Sequence, residues 1–375
     1  MTMTYTNQNE TDLLDACMKA DTIVFLAPSS YLGDFVTPLV DNLRQRSEKL
    51  RLIAADDYFH ANRGKALGFD EIRTVAAHLA APQGPSSITV NCSFQLSTWL
   101  YFDHLQRGLP GRAIDLPELL YILDKPWIYH TGPVMRAQTL ERAADFAALR
   151  TRLEDTLSRA TLDAILRLRM TGNRAELLDV IRPMEQEYFS MYSSSEAPVA
   201  LHDHEHYVDI GAYDGDTVGK FMTAARYRFA SIHAYEPDPR NFAALQRRLE
   251  STSGPIFLHN EAVSDSNQPL SFLASGTMGS RVEAGGDIQV SSVRLDDVLE
   301  QITLLKMDVE GFEPHVLRGA AELIGRCRPR MAITCYHHAL DLLDIVAVLD
   351  VIYPGAKLRL RHYSMYFYDT ILYVE

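Results

Sequence analysis

The sequence predicts a two-domain α/β protein in which two stretches of alternating strands and helices flank a helical connector. A continuous apolar run at residues 22–28 is typical of a strand buried on both faces of a parallel sheet. A second strand, at 207–210, leads into a glycine-bearing turn and then a helix. The length of 375 residues gives room for two domains, or three. Strands that alternate with helices imply parallel, right-handed βαβ units.

The first stretch is predicted to be an N-terminal α/β Rossmann-like domain over residues 1–135. After the strand at 22–28, the pattern favours a helix at 34–46, strands at 50–55 and 87–92, and a helix at 97–107. No glycine-rich phosphate loop follows the first strand, so the stretch resembles a degenerate nucleotide-binding-like domain. Asp56 and Asp57 could bind a ribose, and residues 63–68 form a basic loop. We expect substrate presentation or dimerisation here, with binding of a small molecule or nucleotide sugar as the alternative.

The middle of the chain, residues 136–198, is predicted to be a helical connector that ends in a linker. Leu149, Leu153 and Leu157 recur at four-residue steps, which indicates helix. Residues 193–198 are small and polar and end in Pro198, which is typical of a linker.

The second α/β stretch, residues 199–375, is predicted to form the C-terminal domain. Its predicted strands lie at 207–210, 231–235, 256–258, 289–293, 304–307, 331–335, 357–361 and 370–374, and its predicted helices at 217–227, 241–250, 314–324 and 340–352.

Composition narrows the class of protein. Hydrophobic residues make up 47% and charged residues 23%, which excludes wholesale disorder. The net charge of −13 argues against non-specific binding of nucleic acid. Four cysteines without CxxC spacing fit a reducing cytosol, and we find neither a signal peptide nor an apolar run long enough to span a membrane. We therefore expect a cytoplasmic protein without a nucleic-acid partner or membrane span, and leave a homo-oligomer open.

The glycine-bearing turn is the most informative segment. Gly211 and Gly215 are spaced as GxxxG after Asp209, not as the GxGxxG of dinucleotide sites. Acidic residues at this turn would repel a phosphate, so they favour a ligand without phosphate and with positive character, such as S-adenosylmethionine. Glu236 follows about twenty residues later, where it could accept both ribose hydroxyls. NAD sites share this last feature.

These segments carry a family resemblance. The runs VDIGAYDGDTV, YEPDP, NEAVSD and LKMDVEGFE, which begin at Val208, Tyr235, Asn260 and Leu305, resemble the FkbM family of S-adenosylmethionine-dependent methyltransferases. The resemblance runs from about Glu205 to the C-terminus. It implies a Rossmann-like seven-stranded methyltransferase sheet with an antiparallel last strand. It also implies S-adenosyl-L-methionine as cofactor and methylation of a hydroxyl on a saccharide or secondary metabolite, the acceptor being a small molecule or saccharide.

We expect two groups of site residues at the carboxyl ends of the strands. Methyl transfer is a displacement at the sulfonium carbon, so the protein mainly positions the reactants and removes the acceptor's proton. The expected cofactor-binding residues are Asp209, Gly211, Ala212, Tyr213, Gly215, Glu236, Pro237, Ala262, Val263 and Asp308. The expected catalytic residues are His337, first as general base, then Asp308 as the alternative base, with Lys306 and Glu310.

Several alternatives stay open at this stage. Lys306, Asp308 and Glu310 could instead form a structural ion-pair network. No metal ligand is assigned, although the carboxylates near Asp308 could hold a divalent ion. The histidines at 202, 204 and 206 favour a solvated lead-in to the first strand over a zinc site. The rival functions are an NAD-dependent sugar-modifying oxidoreductase or epimerase, and a non-catalytic cofactor-binding module of a biosynthetic assembly.

Overall fold

The computed structural model describes residues 8–30, 36–47, 49–62, 68–123, 133–190 and 199–375. The predicted linker at 193–198 and nearly all of the basic loop at 63–68 lie outside these residues. The chain divides into two compact units, one of Met1–Ala137, Ala164–Asp179 and Ser364–Phe367, the other of Gln138–Asp163, Val180–Tyr363 and Tyr368–Glu375.

The first unit is built on a parallel sheet of five strands. These strands are β1 (Thr22–Leu26), β2 (Arg51–Ala55), β3 (Glu71–Arg73), β4 (Ser87–Asn91) and β5 (Arg112–Asp115), in the spatial order β3-β2-β1-β4-β5. The helices are α1 (Gln8–Lys19), α2 (Val36–Arg46), α3 (Asp57–Ala61), α4 (Val75–Ala80), α5 (Leu96–Arg107) and α6 (Leu116–Ile122). Every residue of β1 and β4 is buried, as the continuous apolar runs predict for central parallel strands.

The helical middle of the chain consists of α7 (Pro133–Glu141), α8 (Ala143–Arg152) and α9 (Thr156–Thr171). Two short 3₁₀ turns follow, at Arg174–Leu177 and Met184–Gln186. Residues 138–163 belong to the second unit and 164–179 to the first, so the expected connector is shared between the units. The predicted boundaries at 135 and 198 therefore differ from those of the compact units.

The second unit is built on a sheet of seven strands. Its strands, with those of its small sheets, are β6 (Glu205–Ile210), β7 (Phe229–Tyr235), β8 (Ile256–His259), β9 (Ala262–Val263), β10 (Leu270–Leu273), β11 (Arg281–Val282), β12 (Ile288–Val290), β13 (Ser292–Val293), β14 (Leu304–Met307), β15 (Arg330–Thr334), β16 (Leu358–His362) and β17 (Thr370–Val374). The spatial order in the large sheet is β16-β17-β15-β14-β6-β7-β8. β17 is antiparallel to β15 and β16, and the other pairs are parallel. The expected mixed α/β fold with parallel sheets is confirmed.

The helices of the second unit follow its strands. They are α10 (Asp216–Ala224), α11 (Pro239–Leu249), α12 (Leu295–Val298), α13 (Glu313–Arg318), α14 (Ala321–Cys327) and α15 (Asp341–Ile352). Within the described part of the chain, no helix is both long and apolar enough to cross a bilayer.

Two elements of the second unit differ from the prediction. The single strand expected at 289–293 is two strands: β12 joins an antiparallel three-stranded sheet, and β13 pairs with β9. The single helix expected at 314–324 is broken between α13 and α14 at Gly319. A Cβ atom on Gly319 would lie 1.8 Å from the carbonyl oxygen of Ser264, so the backbones meet closely there. The apolar residues keep their helical spacing across Gly319, so the sequence pattern does not reveal the contact with Ser264.

The seven-stranded sheet creates one favourable place for a ligand. β6 lies between β7 and β14, and the chain passes to opposite sides of β6 to form these two pairs. In open parallel sheets, ligands bind at the carboxyl ends of the strands beside such a switch point. The loops after β6, β7, β14 and β15 all meet at this edge.

Candidate active site

The turn after β6 requires glycine at two positions. Gly211 has φ +75° and Gly215 has φ +86°, both in the left-handed region that favours glycine. A Cβ atom on Gly211 would lie only 1.8 Å from the carbonyl oxygen of Asp308. The loops after β6 and β14 therefore approach each other more closely than any side chain at position 211 would permit. Gly215 then forms the N-cap of α10.

Beneath this turn lies a buried ion pair. Lys306 Nζ is 3.1 Å from Asp209 Oδ1, and the two side chains are 3% and 0% exposed. Tyr207 donates its hydroxyl to Asp209, and Lys306 donates to the carbonyl oxygen of Gly211 at 2.6 Å. Burial raises the pKa of Asp209 although Lys306 opposes it. Burial would lower the pKa of Lys306, but the charges of Asp209 and Asp308 raise it. The structure thus gives these two predicted site residues contacts that hold the turn in place.

Glu236, the carboxylate predicted to bind a ribose, hydrogen-bonds to the glycine-bearing turn. It follows β7 and accepts the backbone N–H of Tyr213 at 2.9 Å on Oε2 and that of Asp238 at 2.9 Å on Oε1. Tyr213 has φ +48°, so the turn presents this N–H from a strained backbone. Burial raises the pKa of Glu236 to about 7.

The remaining predicted cofactor-binding positions lie around Glu236. Ala212 is fully buried and donates its N–H to the carbonyl oxygen of Tyr235. Pro237 is half-buried, and its carbonyl oxygen accepts from the side chain of Asn260, which also bonds to that of Glu236. Ala262 and Val263 are buried in β9, paired with β13. The structure therefore ties the segment before β9 to the backbone at Glu236.

Asp238 is a residue that the sequence analysis did not select. It caps α11 through Arg240 and Asn241, and its other oxygen accepts from Gly276 N at 2.9 Å and Ser280 Oγ at 2.6 Å. Burial opposes ionisation, but these hydrogen bonds lower the pKa of Asp238. An aspartate directly before a proline is a recognisable helix start. No sequence pattern predicts its hydrogen bonds to the loop at 275–280.

The second group of predicted residues gathers around His337. The ring Nε2 lies 3.4 Å from Asp308 Oδ1 and 3.6 Å from Glu310 Oε1, while Nδ1 lies 3.4 Å from Glu313 Oε1. Thr334 donates to Glu313 at 2.9 Å and lies 3.3 Å from Asp308 Oδ1. The loop that brings Glu310 to the ring has left-handed backbone at Glu310, φ +57°, and at Gly311. Three carboxylates from the β14 side thus surround one imidazole that follows β15.

These carboxylates control the protonation of His337. Burial alone would lower the pKa of His337, but hydrogen bonds to Glu310 and Glu313 and the charges of Glu313 and Asp308 raise it well above its ordinary value. Burial raises the pKa of Glu310. A ring held as imidazolium has no free lone pair with which to accept a proton. The raised pKa therefore disfavours His337, the residue predicted first as general base, as a proton acceptor near neutral pH.

Tyr188 completes this group from outside the predicted site. Its hydroxyl donates to Asp308 Oδ2 at 3.0 Å, and its ring lies 5.4 Å from Lys306 Nζ. Tyr188 is 8% exposed and has φ +60°. The sequence around Tyr188, in the middle of the chain, has no pattern that predicts a hydrogen bond to Asp308.

Part of the chain that contains these residues matches a known protein family. Residues 209–351 match the family model of the methyltransferase FkbM domain. This segment of the chain thus resembles the methyltransferase domain of the FkbM family. The matched residues include the glycine-bearing turn, Glu236, Asp308 and His337, while Tyr188 precedes them.

Two relatives extend this comparison. Hexuronic acid methyltransferase AglP of Haloferax volcanii is 25% identical over 131 residues, which cover 32% of this chain and 53% of the relative. The match thus spans about half the length of that protein. The crystal structure of the FkbM methyltransferase from Methylobacillus flagellatus KT has 23% identity and a TM-score of 0.74, and covers 98% of this chain and 99% of that one. At this identity the likeness shows the fold, and it extends over both units.

Within the FkbM domain, one group of side chains could hold a metal ion. One ligand atom each from Asp308, Glu313 and His337 lies within 4.8 Å of the others. Among the described residues no second such group exists, and the histidines at 202, 204 and 206 are not part of one. His206 instead hydrogen-bonds to Ser231, and the backbone N–H of His338 donates to Asp341.

Outside the FkbM domain, the predicted ribose-binding aspartates have mainly local contacts. Asp56 is 2% exposed, caps α3 through the N–H of Phe59 and accepts the N–H of Ser29 at 2.7 Å. Both oxygens of Asp56 are thus engaged by backbone. Asp57 is exposed and begins α3.

Proposed function

We propose that this protein is an S-adenosylmethionine-dependent O-methyltransferase that acts on a hydroxyl of a saccharide or secondary metabolite. The match to the FkbM domain supports methyl transfer. The main support for S-adenosylmethionine as cofactor is the hydrogen bond from the backbone N–H of Tyr213 to Glu236. It brings the glycine-bearing turn next to the carboxylate that we expect to bind the ribose. Turn and carboxylate follow the adjacent parallel strands β6 and β7.

The residues of this edge fit S-adenosylmethionine. Glu236 uses one lone pair on each oxygen for a backbone N–H, so each oxygen can still accept a ribose hydroxyl. The nearby cation Lys306 is committed to Asp209 and to the Gly211 carbonyl, which leaves no built-in phosphate partner in the described turn. Residues 211–215 would contact the amino-acid part, and Ala262 and Val263 the adenine side. The cofactor supplies a methyl group activated by a sulfonium.

On the acceptor side, Asp308 is the residue we assign to the acceptor's proton. Its side chain is 23% exposed, against 3% for His337, so it is the more accessible of the two. The hydroxyl of Tyr188 fixes one oxygen of Asp308, and the charged ring of His337 lies beside the other. Glu310 and Glu313 hold that ring in place. A carboxylate so oriented can act as a general base.

The acceptor class follows from the resemblance and from the relative's name. A hexuronic acid methyltransferase acts on a sugar, which supports a saccharide acceptor for this domain. We also propose a cytoplasmic location, because four cysteines without CxxC spacing are typical of a reducing compartment.

Calorimetric titration with S-adenosylhomocysteine tests the cofactor. We expect saturable binding on the order of micromolar in the wild type and its loss in Glu236→Ala. Glu322→Gln, which changes an exposed glutamate of α14, is the matched control and should bind as the wild type does. Binding of NAD in place of S-adenosylhomocysteine by the folded protein would contradict the proposal and favour the oxidoreductase.

Loss of turnover with retained cofactor binding separates a catalyst from a binding module. Asp308→Ala should abolish transfer of a labelled methyl group from S-adenosylmethionine to a responsive saccharide. A folded Asp308→Ala protein with wild-type turnover would contradict the assigned role of Asp308.

A further inference from the structure

We propose that Asp308, Glu313 and His337 bind a divalent cation beside the acceptor site. One ligand atom of each lies within 4.8 Å of the others. The binding itself rests on this geometry, whereas the role of the cation rests on the proposed methyl transfer.

The spacing of the donors suits a small cation. One ligand atom each from Asp308, Glu313 and His337 lies within 4.8 Å of the other two. The two shortest ring contacts, both 3.4 Å, come from different nitrogens: Nε2 faces Asp308 and Nδ1 faces Glu313. Adjacent ligands of an ion with bonds of about 2.1 Å stand roughly 3 Å apart, so binding through a single ring nitrogen requires the ring and the carboxylates to rotate toward one another. Thr334 contacts the same two carboxylates and holds them on one side of the ring.

The charge of the cluster favours a cation. Asp308, Glu310 and Glu313 bring three carboxylates to one place, where their side chains are 23%, 12% and 0% exposed. In the part of the chain that the structure describes, His337 is the one basic group within 4.0 Å of them. Buried carboxylates are costly unless they are paired or coordinate a metal. A divalent cation would offset the excess negative charge.

Glu313 provides a second, independent observation. Its Oε1 accepts from Val309 and Thr334, while its Oε2 is buried and has no hydrogen-bond partner among the described residues. The side chain of Glu313 is 0% exposed. A buried carboxylate oxygen without a partner destabilises the folded protein unless a ligand binds to it.

The donor chemistry selects the class of ion. Two carboxylates suit Mg²⁺ and Mn²⁺, and an imidazole adds preference for a first-row transition ion. The His337 ring must lose one proton to solvent before it can coordinate, so the cation would replace that proton among the carboxylates. Mn²⁺ is therefore the probe that matches both donor types. A cation here would stabilise the negative charge that develops on an acceptor oxygen. Asp308 would bind it through Oδ1, which faces His337, and keep Oδ2, beside Tyr188, for the acceptor's proton.

The test measures Mn²⁺ binding by the full-length protein without cofactor, from the electron paramagnetic resonance signal of free Mn²⁺. We expect one saturable site per chain in the wild type and in the control Glu322→Gln. Asp308→Asn and His337→Gln, each checked for folding by thermal unfolding, should bind Mn²⁺ at least about tenfold more weakly. Only weak, unsaturable binding in the wild type, or unchanged affinity in both folded variants, would overturn the proposal.

A second measurement needs no substitution. Electron spin echo modulation of the bound Mn²⁺ should show nitrogen coupling from the His337 ring, and its absence would overturn the ligand set. Titration with S-adenosylhomocysteine in the presence of a chelator keeps the two proposals apart. Cofactor binding without a Mn²⁺ site rejects only the metal, and a Mn²⁺ site without cofactor binding rejects only the proposed function.

Discussion

Tyr188 donates its hydroxyl to Asp308 Oδ2 at 3.0 Å across 120 residues of sequence. Tyr188 lies before the segment that matches the FkbM domain, and Asp308 lies within it. A residue upstream of the family domain thus orients a carboxylate that we assign to catalysis.

Tyr188→Phe removes this hydrogen bond and little else. A hydrogen bond to a charged group contributes about 1.5–3 kcal/mol, so kcat for methyl transfer should fall roughly 10- to 100-fold. Cofactor affinity should stay within about twofold, because Tyr188 has no bond to Glu236. Steady-state kinetics measures kcat, and calorimetry measures the cofactor affinity. The control is Tyr227→Phe, because Tyr227 is 65% exposed. An unchanged kcat would refute the positioning role.

Cofactor affinity should rise with pH through about 7. Burial raises the pKa of Glu236 from 4.5 to about 7, so near neutrality part of the protein carries a protonated Glu236. The carboxylate accepts both ribose hydroxyls, whereas the carboxylic acid must use one oxygen as a donor. Titration with S-adenosylhomocysteine at pH 6 and pH 8 should therefore show tighter binding at the higher pH. The Glu236→Gln variant should bind S-adenosylhomocysteine more weakly, with an affinity that does not change between pH 6 and pH 8. A wild-type affinity that does not change with pH would contradict the assignment of Glu236 to the ribose.

The raised pKa of Glu236 should also make the stability of the protein depend on pH, but stability should fall with rising pH where cofactor affinity rises. A raised folded-state pKa means that the folded protein holds the Glu236 proton more tightly than the unfolded chain does. The contribution of Glu236 to the free energy of unfolding should thus fall as pH rises from about 4.5 to about 7. Denaturant unfolding of wild type and Glu236→Gln across this window measures it, and parallel curves would contradict it.

Asp209→Asn should destabilise the protein by about 3 kcal/mol or more, because it leaves Lys306 buried and unpaired. Lys306→Met in the same protein should recover part of this loss, since the two substitutions remove one interaction. Asp163→Asn breaks the more exposed pair with Arg150 and should cost less than about 1 kcal/mol. Denaturant unfolding of five proteins measures these losses: the wild type, Asp209→Asn, Lys306→Met, the double variant and Asp163→Asn. Strictly additive losses from Asp209→Asn and Lys306→Met would show that the pair is not coupled.

Gly211→Ala should reduce cofactor affinity more than tenfold and destabilise the protein by more than about 2 kcal/mol. The new Cβ would meet the Asp308 carbonyl at 1.8 Å and would also occupy left-handed backbone. Gly285 has φ +84° but open space around it, so Gly285→Ala shows the backbone strain alone, about 1 kcal/mol. Equal losses in the two variants would show that the contact with Asp308 is unimportant.

Much of the fold could be predicted because it depends on local patterns. The apolar runs of β1, β6 and β14 and the glycine after β6 each specify an element within a few residues. The small strands β9 to β13 could not be predicted as they are, because two- to four-residue strands depend on their partners. The break at Gly319 depends on the backbone of Ser264, which is distant in sequence.

The sequence by itself determined the alternation of strands and helices, the FkbM resemblance, and the placement of Gly211, Glu236 and Asp308 at strand ends. Those follow from periodicity and from the rule that the carboxyl ends of parallel strands share one edge. Only the tertiary structure decided which partner each side chain takes. It paired Asp209 with Lys306 and enclosed His337 in carboxylates. Such bonds require atoms to approach within about 3 Å, and the register of distant strands sets that approach.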